Sequence, residues 1–233
     1  DIPTLAGMGE DRLVKLWEGL GYYNRVRNLQ KAAQVIMAEY GGEMPAEYGQ
    51  IIRLPGIGSY TAGAIASIAY GKAVPAVDGN VLRVLSRLRM DGEDILSQKT
   101  KKRVEAELSP VMPADRAGDF NQALMELGAT VCLPNGEPKC AECPWEGLCQ
   151  AHRLGCWQEF PKKKPKKARV VEEKTVLVVK DEEKAAFCKR PPKGLLAGMY
   201  GFPMLEGYRT EPEVLHYLRE IGLKVLRIRP IGD

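Results

Sequence analysis

The sequence lacks any run of the roughly 18 apolar residues that a membrane-spanning helix needs, and no charged, apolar and small signal segment opens it. It also lacks a strong charge of either sign, because 34 basic and 30 acidic residues leave a net charge of only +4. Composition alone is therefore weak evidence for a nucleic-acid partner. The missing membrane and signal segments predict a soluble protein of the cytoplasm.

The length of 233 residues suits one large domain, or one and a half domains of ordinary size. The chain begins with Asp1 rather than methionine, and it stops at Asp233 inside what reads as an unfinished domain. We therefore expect both ends to be truncations of a longer protein.

Residues 54–80 form the stretch around which the other segments are organised. Two helical patterns meet there at a Pro-Gly-Ile-Gly sequence, and glycine allows a turn too tight for any side chain. Such a turn points the backbone N–H groups of Gly56, Gly58 and Ser59 outward at a helix start, where they suit a phosphate. Asp78 follows after an apolar run, directly before the next helix. Taken singly, the glycines could be a plain helix connection and Asp78 a plain N-cap.

Four of the six cysteines lie close together, with seven, two and five residues between them. Four thiolates without histidine fit either a structural zinc site or an iron–sulfur cluster, because both are held by a tetrahedral cage of sulfur ligands. Spacing alone does not choose the metal. The candidate ligands are Cys132, Cys140, Cys143 and Cys149, whereas Cys156 and Cys188 are interpreted as ordinary thiols.

Helical periodicity without alternating strands runs from Glu10 to Val131, which predicts an all-α module. The predicted helices are Glu10–Gly19, a helix that ends near Tyr40, a helix from Ser59 to about Tyr70, one that starts after Asp78, Lys99–Leu108 and Asp119–Val131. In the first of these, the spacing predicts that Leu16 and Leu20 belong to the apolar stripe.

Short β-strands are predicted in the last third of the chain. Thr175–Val179 and Ala185–Cys188 read as two strands separated by a charged turn, and Glu211–Ile221 reads as a helix. Before them, Pro161–Arg169 carries six basic residues in nine. That composition is typical of a solvated linker that can also contact phosphate.

Together these motifs resemble the MutY-type adenine DNA glycosylases of the endonuclease III superfamily. The resemblance rests on LWEGLGYYNRVRNL, on LPGIG followed by VDGN, on CLPNGEPKCAECPWEGLC and on RPPKGLLAGMYGFP. It implies a mainly α fold, in which a helix-hairpin-helix glycosylase domain with a four-cysteine iron–sulfur loop precedes a partial α+β Nudix-like domain. The implied domains are 1–131 (helical), 132–156 (cluster loop), 157–172 (basic linker) and 173–233 (oxoguanine recognition).

The resemblance also implies an activity, a cofactor and a partner. The activity is base-excision repair, in which adenine mispaired with 8-oxoguanine is removed by monofunctional hydrolysis of the N-glycosidic bond. The cofactor is a 4Fe-4S cluster on the four cysteines. The partner is double-stranded DNA that contains the mispair, and the protein is expected to be a monomer.

Roles for individual residues follow from the same resemblance. Asp78 would stabilise the cationic sugar of the transition state, with Asn80 as its orienting or water-binding neighbour. Tyr22 would wedge into the duplex where a base is extruded, and Arg25 follows it in the same DNA-binding turn. Tyr60 stands where bifunctional relatives carry a lysine; a phenol forms no Schiff base, so it would contact the sugar or Asp78.

Two features of the resembled families are missing from the sequence. There is neither a Gln-Gln-Thr motif nor the glutamate that protonates adenine, so we expect the chain to bind DNA but to excise adenine poorly or not at all. The last helix also lacks the paired glutamates of a catalytic Nudix box, so we expect no pyrophosphohydrolase activity.

Two alternatives stay open at this point. One is a thymine or uracil mismatch glycosylase on the same scaffold, against which the GLGYY and RPPKGLLAGMYGFP segments argue, because an oxoguanine-recognising domain has no use there. The other is a non-catalytic DNA-binding or zinc-stabilised module.

Overall fold

The N-terminal part of the chain is a bundle of helices, and the C-terminal part is a smaller unit of strands and one helix. The computed structural model describes residues 1–165 and 168–232. The chain divides into two compact units with the boundary after Pro165. Lys166 and Lys167 of the predicted basic linker lie outside the described residues. No helix within the described ranges has the length and apolar character that crossing a membrane requires.

The first unit, which is described throughout, contains nine α-helices and no β-strand. Their bounds are α1 (Ile2–Ala6), α2 (Glu10–Leu16), α3 (Asn24–Glu39), α4 (Tyr48–Ile51), α5 (Ser59–Ala64), α6 (Gly79–Arg89), α7 (Gln98–Leu108), α8 (Ala117–Glu126) and α9 (Gln150–Arg153). The prediction of a mainly helical fold is confirmed.

Helix α6 lies at the centre of the first unit. Every residue from Val81 to Arg87 is buried, so α6 is covered on all sides, unlike an amphipathic surface helix. Its apolar side chains share one cluster with Val104 and Leu108 of α7 and Leu124 of α8. The helix that starts after Asp78 is therefore the element against which its neighbours are positioned.

Two smaller apolar clusters fix the helices on either side of the glycine turn. Ala32 and Ile36 of α3 pack with Leu54, just before the turn. Ile51 of α4 packs with Ala62 of α5, just after it. The turn is thus held from both flanks.

Wide π-helical turns extend two of the helices. Ile65–Ala69 continues α5 and Leu127–Val131 continues α8. The predicted helices Ser59 to Tyr70 and Asp119–Val131 are therefore confirmed in extent, although the last turn of each is wider than α. Single π turns of this kind occur frequently near functional sites.

The apolar stripe predicted for the first helix is wrong at two positions. Leu16 and Leu20 are 68% and 65% exposed. Helix α2 ends at Leu16 rather than at Gly19, and the indole N–H of Trp17 donates to the carbonyl of Gly21 at 2.9 Å. Helical spacing does not indicate side-chain direction at Leu20, which lies beyond the helix, and Leu16 is exposed at the last position of α2.

The second unit contains three pairs of short strands and one helix. Its elements are β1 (Lys174–Val176), β2 (Lys180–Asp181), β3 (Lys184–Ala185), β4 (Cys188–Lys189), β5 (Tyr200–Gly201), β6 (Met204–Glu206) and α10 (Glu211–Glu220). The antiparallel pairs are β1–β6, β2–β3 and β4–β5. Leu177 packs against Val214 and Leu218 of α10 and forms the core of this unit.

The charged turn predicted between two strands is confirmed. Lys180 pairs with Ala185 and Asp181 with Lys184, and Glu182 between them has a positive φ of 50°. The strands on either side are shorter than predicted. Where the sequence predicts two strands, Thr175–Val179 and Ala185–Cys188, the structure has the four short strands β1 to β4.

An ion-pair network joins α7 to the end of α6. Arg103 pairs with Asp91, Glu93 and Glu107, and Arg89 also pairs with Glu107. Burial alone would raise the pKa of both Asp91 and Glu107. At Asp91, the hydrogen bonds from the backbone N–H of Glu93 and from the side chain of Arg103 lower the pKa by more than burial raises it. At Glu107, Arg103 and Arg89 have the same effect, so the pKa of each carboxyl lies below its usual range.

Replacing Arg103 by methionine should lower the free energy of unfolding near pH 7 by about 1 kcal/mol, the order expected for partly exposed ion pairs. A carboxyl group whose pKa is lowered by folding stabilises the fold above its unfolded pKa, which lies near 4, and this contribution is lost as the pH falls through the folded pKa. Thermal unfolding of R103M and the unaltered chain between about pH 3 and 7 should show the difference shrinking below about pH 4.

The control is Arg116→Met, which breaks one exposed pair with Asp119 and should change stability by less than about 0.5 kcal/mol. A deficit in R103M that does not depend on pH would show that the network contributes packing rather than charge.

Candidate functional site

The glycine turn between α4 and α5 is fixed by conformation and by space. Gly56 has a φ of 78°, and a Cβ on it would lie 2.5 Å from the Cβ of Asn28 on α3. A side chain at this position would be strained and would also clash. Gly58 is the N-cap of α5, and the first N–H groups of a helix, here from Ser59 on, have no partner within it. Such groups are suited to an anion.

Asp78 is the N-cap of α6, and the hydrogen bonds to its side chain come from Asn80 and Val81. Its Oδ1 accepts from the backbone N–H groups of Asn80 and Val81, both at 2.9 Å. Its Oδ2 accepts from the side-chain amide of Asn80 at 2.8 Å. The half-buried carboxylate is therefore held in one orientation, and one acceptor position on Oδ2 is left for a further contact.

A buried arginine holds Asn80 from behind. Arg83 donates through Nη2 to Asn80 Oδ1 at 2.9 Å and to the carbonyl of Gly128 at 2.6 Å, and through Nε to the carbonyl of Cys132 at 2.8 Å. Burial lowers the pKa of Arg83, whereas Cys132 and Asp78 act in the opposite direction. Because a guanidinium stays protonated in proteins, Arg83 is a fixed buried cation that fixes the amide of Asn80, and through it Asp78.

Gly128 allows the turn after α8 to approach this group. A Cβ on Gly128 would lie 2.5 Å from the Cβ of Asn80 and 3.0 Å from its Cα. The backbone of Asn80 cannot move without moving the start of α6. Glycine is therefore required here for the contact between Arg83 and the two backbone carbonyls.

The two tyrosines of the α2–α3 turn differ in environment. Tyr22 is 85% exposed and has a positive φ of 47°, which is uncommon for a bulky side chain. Tyr23 is the N-cap of α3 and only partly exposed. Arg25 is exposed and lies 6.0 Å from the ring of Trp17. Tyr22 is the aromatic side chain that the turn presents to solvent.

The structure brings some of the predicted site residues together. Asp78 and Asn80 are in direct contact, and α5 packs through Gly63 against Pro75, three residues before Asp78. Tyr60 lies in the first turn of α5 with a side chain that is 36% exposed. Tyr22 lies in the α2–α3 turn and Arg25 in the first turn of α3. Their predicted roles in catalysis and DNA binding stay predictions.

The four predicted metal-ligating cysteines line one cavity next to α6. Cys132 follows the π turn after α8, Cys140 and Cys143 flank a short helical turn, and Cys149 is the N-cap of α9. Burial, and then the charges of the neighbouring cysteines, raises the pKa of Cys140 and Cys143. Four thiolates in one cavity repel each other, so their joint ionisation requires a cation.

Arg87 connects this cavity to α6. It donates through Nη1 to Cys132 Sγ at 3.3 Å and to the carbonyl of Leu133 at 2.9 Å, and through Nε to the carbonyl of Phe160 at 3.0 Å. Its guanidinium lies 5.5 Å from the ring of Trp157. A buried cation with a sulfur among its acceptors suits a cluster whose thiolate ligands carry net negative charge.

A single zinc ion and an iron–sulfur cluster require different spacings of the four sulfur atoms. Four thiolates at about 2.3 Å from one zinc would place their sulfur atoms about 3.8 Å apart. Within residues 1–165 and 168–232, no three or more His, Cys, Asp or Glu side chains converge closely enough to hold a metal ion. What the structure shows of the four cysteines is their shared cavity next to α6.

Sequence reasoning missed four residues that build the site: Arg83, Arg87, Asn121 and Gly128. The arginines carried a signal, because charged residues at spacing i, i+4 inside VLRVLSR interrupt an otherwise apolar helix. Full burial of such a pair requires partners from elsewhere in the chain. The asparagine and the glycine carried no comparable local signal.

Comparison with known proteins shows that the chain is similar to DNA repair proteins. Residues 1–113 match the HhH-GPD superfamily base excision DNA repair proteins. The chain is 49% identical over 154 residues to an adenine DNA glycosylase of Homo sapiens, covering 65% of this chain and 28% of the relative. It is 32% identical over 228 residues to an adenine DNA glycosylase of Buchnera aphidicola (strain APS), covering 97% and 64%. The chain thus spans less than two thirds of each relative.

Solved structures give the same fold. A thermostable thymine-DNA glycosylase is 27% identical with a TM-score of 0.56, and the match covers 66% of this chain and 70% of that one. A non-covalent endonuclease III–DNA complex is 28% identical with the same TM-score and the same coverage.

Gly128→Ala should destabilise the fold by about 1–3 kcal/mol, because the new methyl group meets the backbone of Asn80 and not a flexible side-chain end. The free energy of unfolding in urea measures this. Gly49→Ala in α4 is the matched control, since nothing lies within 4 Å of a Cβ built on Gly49. This substitution should leave the free energy of unfolding unchanged or raise it by up to about 1 kcal/mol. Equal stability of the two variants would refute the close approach.

Proposed function

We propose that the chain acts in an adenine DNA glycosylase, since its residues 1–113 match the HhH-GPD superfamily of base excision DNA repair proteins. The reaction is monofunctional hydrolysis of the N-glycosidic bond of adenine opposite 8-oxoguanine. The observation that carries the proposal is the carboxylate of Asp78 at the start of α6, held by Asn80 and backed by the buried Arg83.

The choice of adenine is supported by the relatives from Homo sapiens and Buchnera aphidicola, which are both adenine DNA glycosylases. A thymine glycosylase on the same scaffold is the second candidate, favoured by the name of one structural neighbour. Its identity to this chain is lower than that of either curated relative, so we rank adenine first.

The chemistry assigned to Asp78 is electrostatic. Breaking an N-glycosidic bond builds positive charge on the sugar, and a fixed carboxylate stabilises that charge without having to reorganise. Three hydrogen bonds fix the orientation of Asp78, and the remaining acceptor position on Oδ2 is available to the sugar or to the attacking water. The proton donor to the leaving adenine is assigned to no residue of this chain.

Tyr60 accounts for the monofunctional assignment. It stands in the first turn of the hairpin helix α5, where a lysine would be able to attack the sugar and form a Schiff base. A phenol cannot form an imine. Hydrolysis by water, without a covalent enzyme–DNA intermediate, is therefore the reaction that these residues support.

Contacts to DNA are assigned to two separate turns. The glycine turn, with Gly56, Gly58 and Ser59, offers backbone N–H groups to a phosphate. The α2–α3 turn offers the exposed ring of Tyr22, which would insert beside the mispair and offset the free energy of unstacking, and it carries Arg25 as a cation for the DNA backbone.

The four cysteines are proposed to hold a 4Fe-4S cluster. Cys132, Cys140, Cys143 and Cys149 would be the ligands, and Arg87 would donate to the sulfur of Cys132. When bound, such a group folds a loop with few apolar residues. Glycosidic hydrolysis moves no electrons, so the proposed role is structural.

The second unit is proposed to be the Nudix-like domain that recognises oxoguanine. Its short strands and the helix α10 support this reading. Two of the three glutamates of α10 have structural partners: Glu213 accepts from Thr210 in a capping box, and Glu220 pairs with His216. They are therefore not assigned to a metal, and no pyrophosphohydrolase activity is proposed.

Cys140→Ser should remove most of the bound iron and the visible absorption of the purified protein, whereas Cys156→Ser should keep both. Elemental analysis of the unaltered chain should give about four iron atoms per chain. One zinc ion per chain in place of iron, or iron retained by C140S, would contradict the cluster assignment.

Asp78→Asn should leave DNA affinity within about threefold of the unaltered chain but slow adenine release by at least about 100-fold. Single-turnover release with protein in excess over many hours detects a slow reaction. Asp94→Asn is the matched control, because Asp94 also accepts from a backbone N–H, that of Leu96, in another loop. It should change neither quantity.

The DNA-binding measurement also tests which mispair the unaltered chain recognises. At one stated salt concentration, a duplex with adenine opposite 8-oxoguanine should bind at least about tenfold more tightly than one with adenine opposite thymine. Equal affinities would contradict lesion recognition, and release unaffected by D78N would contradict the role of Asp78.

A further inference from the structure

Asn121 of α8 is the most buried polar side chain outside α6 that contacts the segment leading to Asp78. It is 1% exposed. Its Oδ1 accepts from the backbone N–H of Ala76 at 3.0 Å, and its Nδ2 donates to the carbonyl of Val74 at 2.9 Å and to Ser67 Oγ at 2.8 Å. One amide thus binds a donor and an acceptor of the same short segment.

Residues 74–77 form an irregular connector between α5 with its π turn and α6. Ala76 and Val77 are fully buried, so their polar backbone groups need partners inside the protein. Pro75 has no N–H to donate. In a strand these groups would pair with a neighbouring backbone, and here the side chain of Asn121 takes that place.

The opposite side of the connector is closed by α5. A Cβ on Gly63 would lie 2.2 Å from the carbonyl oxygen of Pro75, so the backbone of the connector lies directly on the helix. Gly118 of α8 makes a similar approach, since a Cβ there would lie 3.0 Å from the carbonyl oxygen of Ser67. The connector is therefore in direct contact with α5 through Gly63, and the side chain of Asn121 bonds it to α8.

We propose that Asn121 is a positioning residue for Asp78, which rests on the function proposed above. Asp78 lies two residues after Ala76. The hydrogen bonds of Asn121 set where the connector ends, and thereby how far the carboxylate of Asp78 reaches toward the nucleotide held at the glycine turn. Arg83 and Asn80 fix the orientation of that carboxylate, whereas Asn121 fixes the position of the backbone that carries it.

The choice of an amide follows from the groups it meets. The site requires one acceptor for Ala76 and donors for Val74 and Ser67, and a side-chain amide supplies both kinds. An aspartate at this position keeps the acceptor and loses the donors, whereas an alanine loses all of them. The two substitutions therefore give graded effects.

The test uses two DNA duplexes that differ in the charge at the target sugar. In one, the target nucleotide is replaced by a pyrrolidine analogue whose ring nitrogen is protonated near neutral pH. In the other it is replaced by the neutral tetrahydrofuran analogue. The affinity ratio reports the carboxylate's fit to a cationic sugar and requires no proton donor for adenine. The unaltered chain should prefer the charged duplex by at least about tenfold.

The variants separate positioning from general stability. Asn121→Ala should lower this preference by about tenfold or abolish it, and Asn121→Asp should lower it less, because displacements of about 1 Å have effects of this order. Ser67→Ala removes one partner of Asn121 but leaves the connector bonded. Thr100→Val on α7 removes the partly buried hydrogen bond from Thr100 to Glu93 in the loop before that helix. Both controls should keep the preference within about twofold.

Hydrogen exchange provides a second readout on the same proteins. The peptide that covers residues 74–80 should exchange faster in N121A and N121D, while peptides from α7 keep their protection. In Thr100→Val, peptides from α7 should exchange faster while the peptide that covers residues 74–80 keeps its protection.

The outcomes distinguish this inference from the proposed function. If N121A folds and keeps the full preference for the charged duplex, the positioning role of Asn121 is refuted and the role of Asp78 is not. If N121A does not fold, a full preference in N121D refutes the positioning role of Asn121. An unaltered chain with no preference overturns the proposed role of Asp78 itself.

Discussion

The hydrogen bonds that leave the buried guanidinium of Arg83 are the interactions on which the rest of the first unit depends. They join Asn80, the turn after α8 and the backbone of the first cysteine of the cavity. A buried cation is tolerated only when its donors are paired. Helix α6 and the turn after α8 therefore cannot move independently, and Asp78, bonded to Asn80, inherits that rigidity.

Helix α6 is shared by the two halves of the candidate site. Its N-terminal end carries the carboxylate, and one turn beyond Arg83 the side chain of Arg87 reaches the cysteine cavity. Glycines bring the surrounding backbone to this helix and its connector, since Gly63 and Gly128 stand where a Cβ would overlap backbone. The chemistry proposed for Asp78 thus depends on close contact between backbones, which only these small residues permit.

Local patterns predicted much of this arrangement. The glycine turn, the N-cap aspartate with Asn80, and the four cysteines were visible because their defining spacing is short. Asn121 and Gly128 were not, because their partners lie 45 to 54 residues away and an asparagine in a helix has no local reason to be buried. Leu20 is predicted wrongly for the opposite reason, because its spacing is helical but the helix ends at Leu16, which is itself exposed in the last position of α2.

The most direct test of the account is the distance between the carboxylate of Asp78 and C1′ of the target nucleotide in a crystal of the protein with an uncleavable adenine:8-oxoguanine duplex. If the held carboxylate stabilises the cationic sugar, this distance should be about 3–3.5 Å, with the nucleotide extruded from the duplex. A nucleotide bound at the glycine turn with Asp78 more than about 6 Å away, still bonded to Asn80, would contradict it.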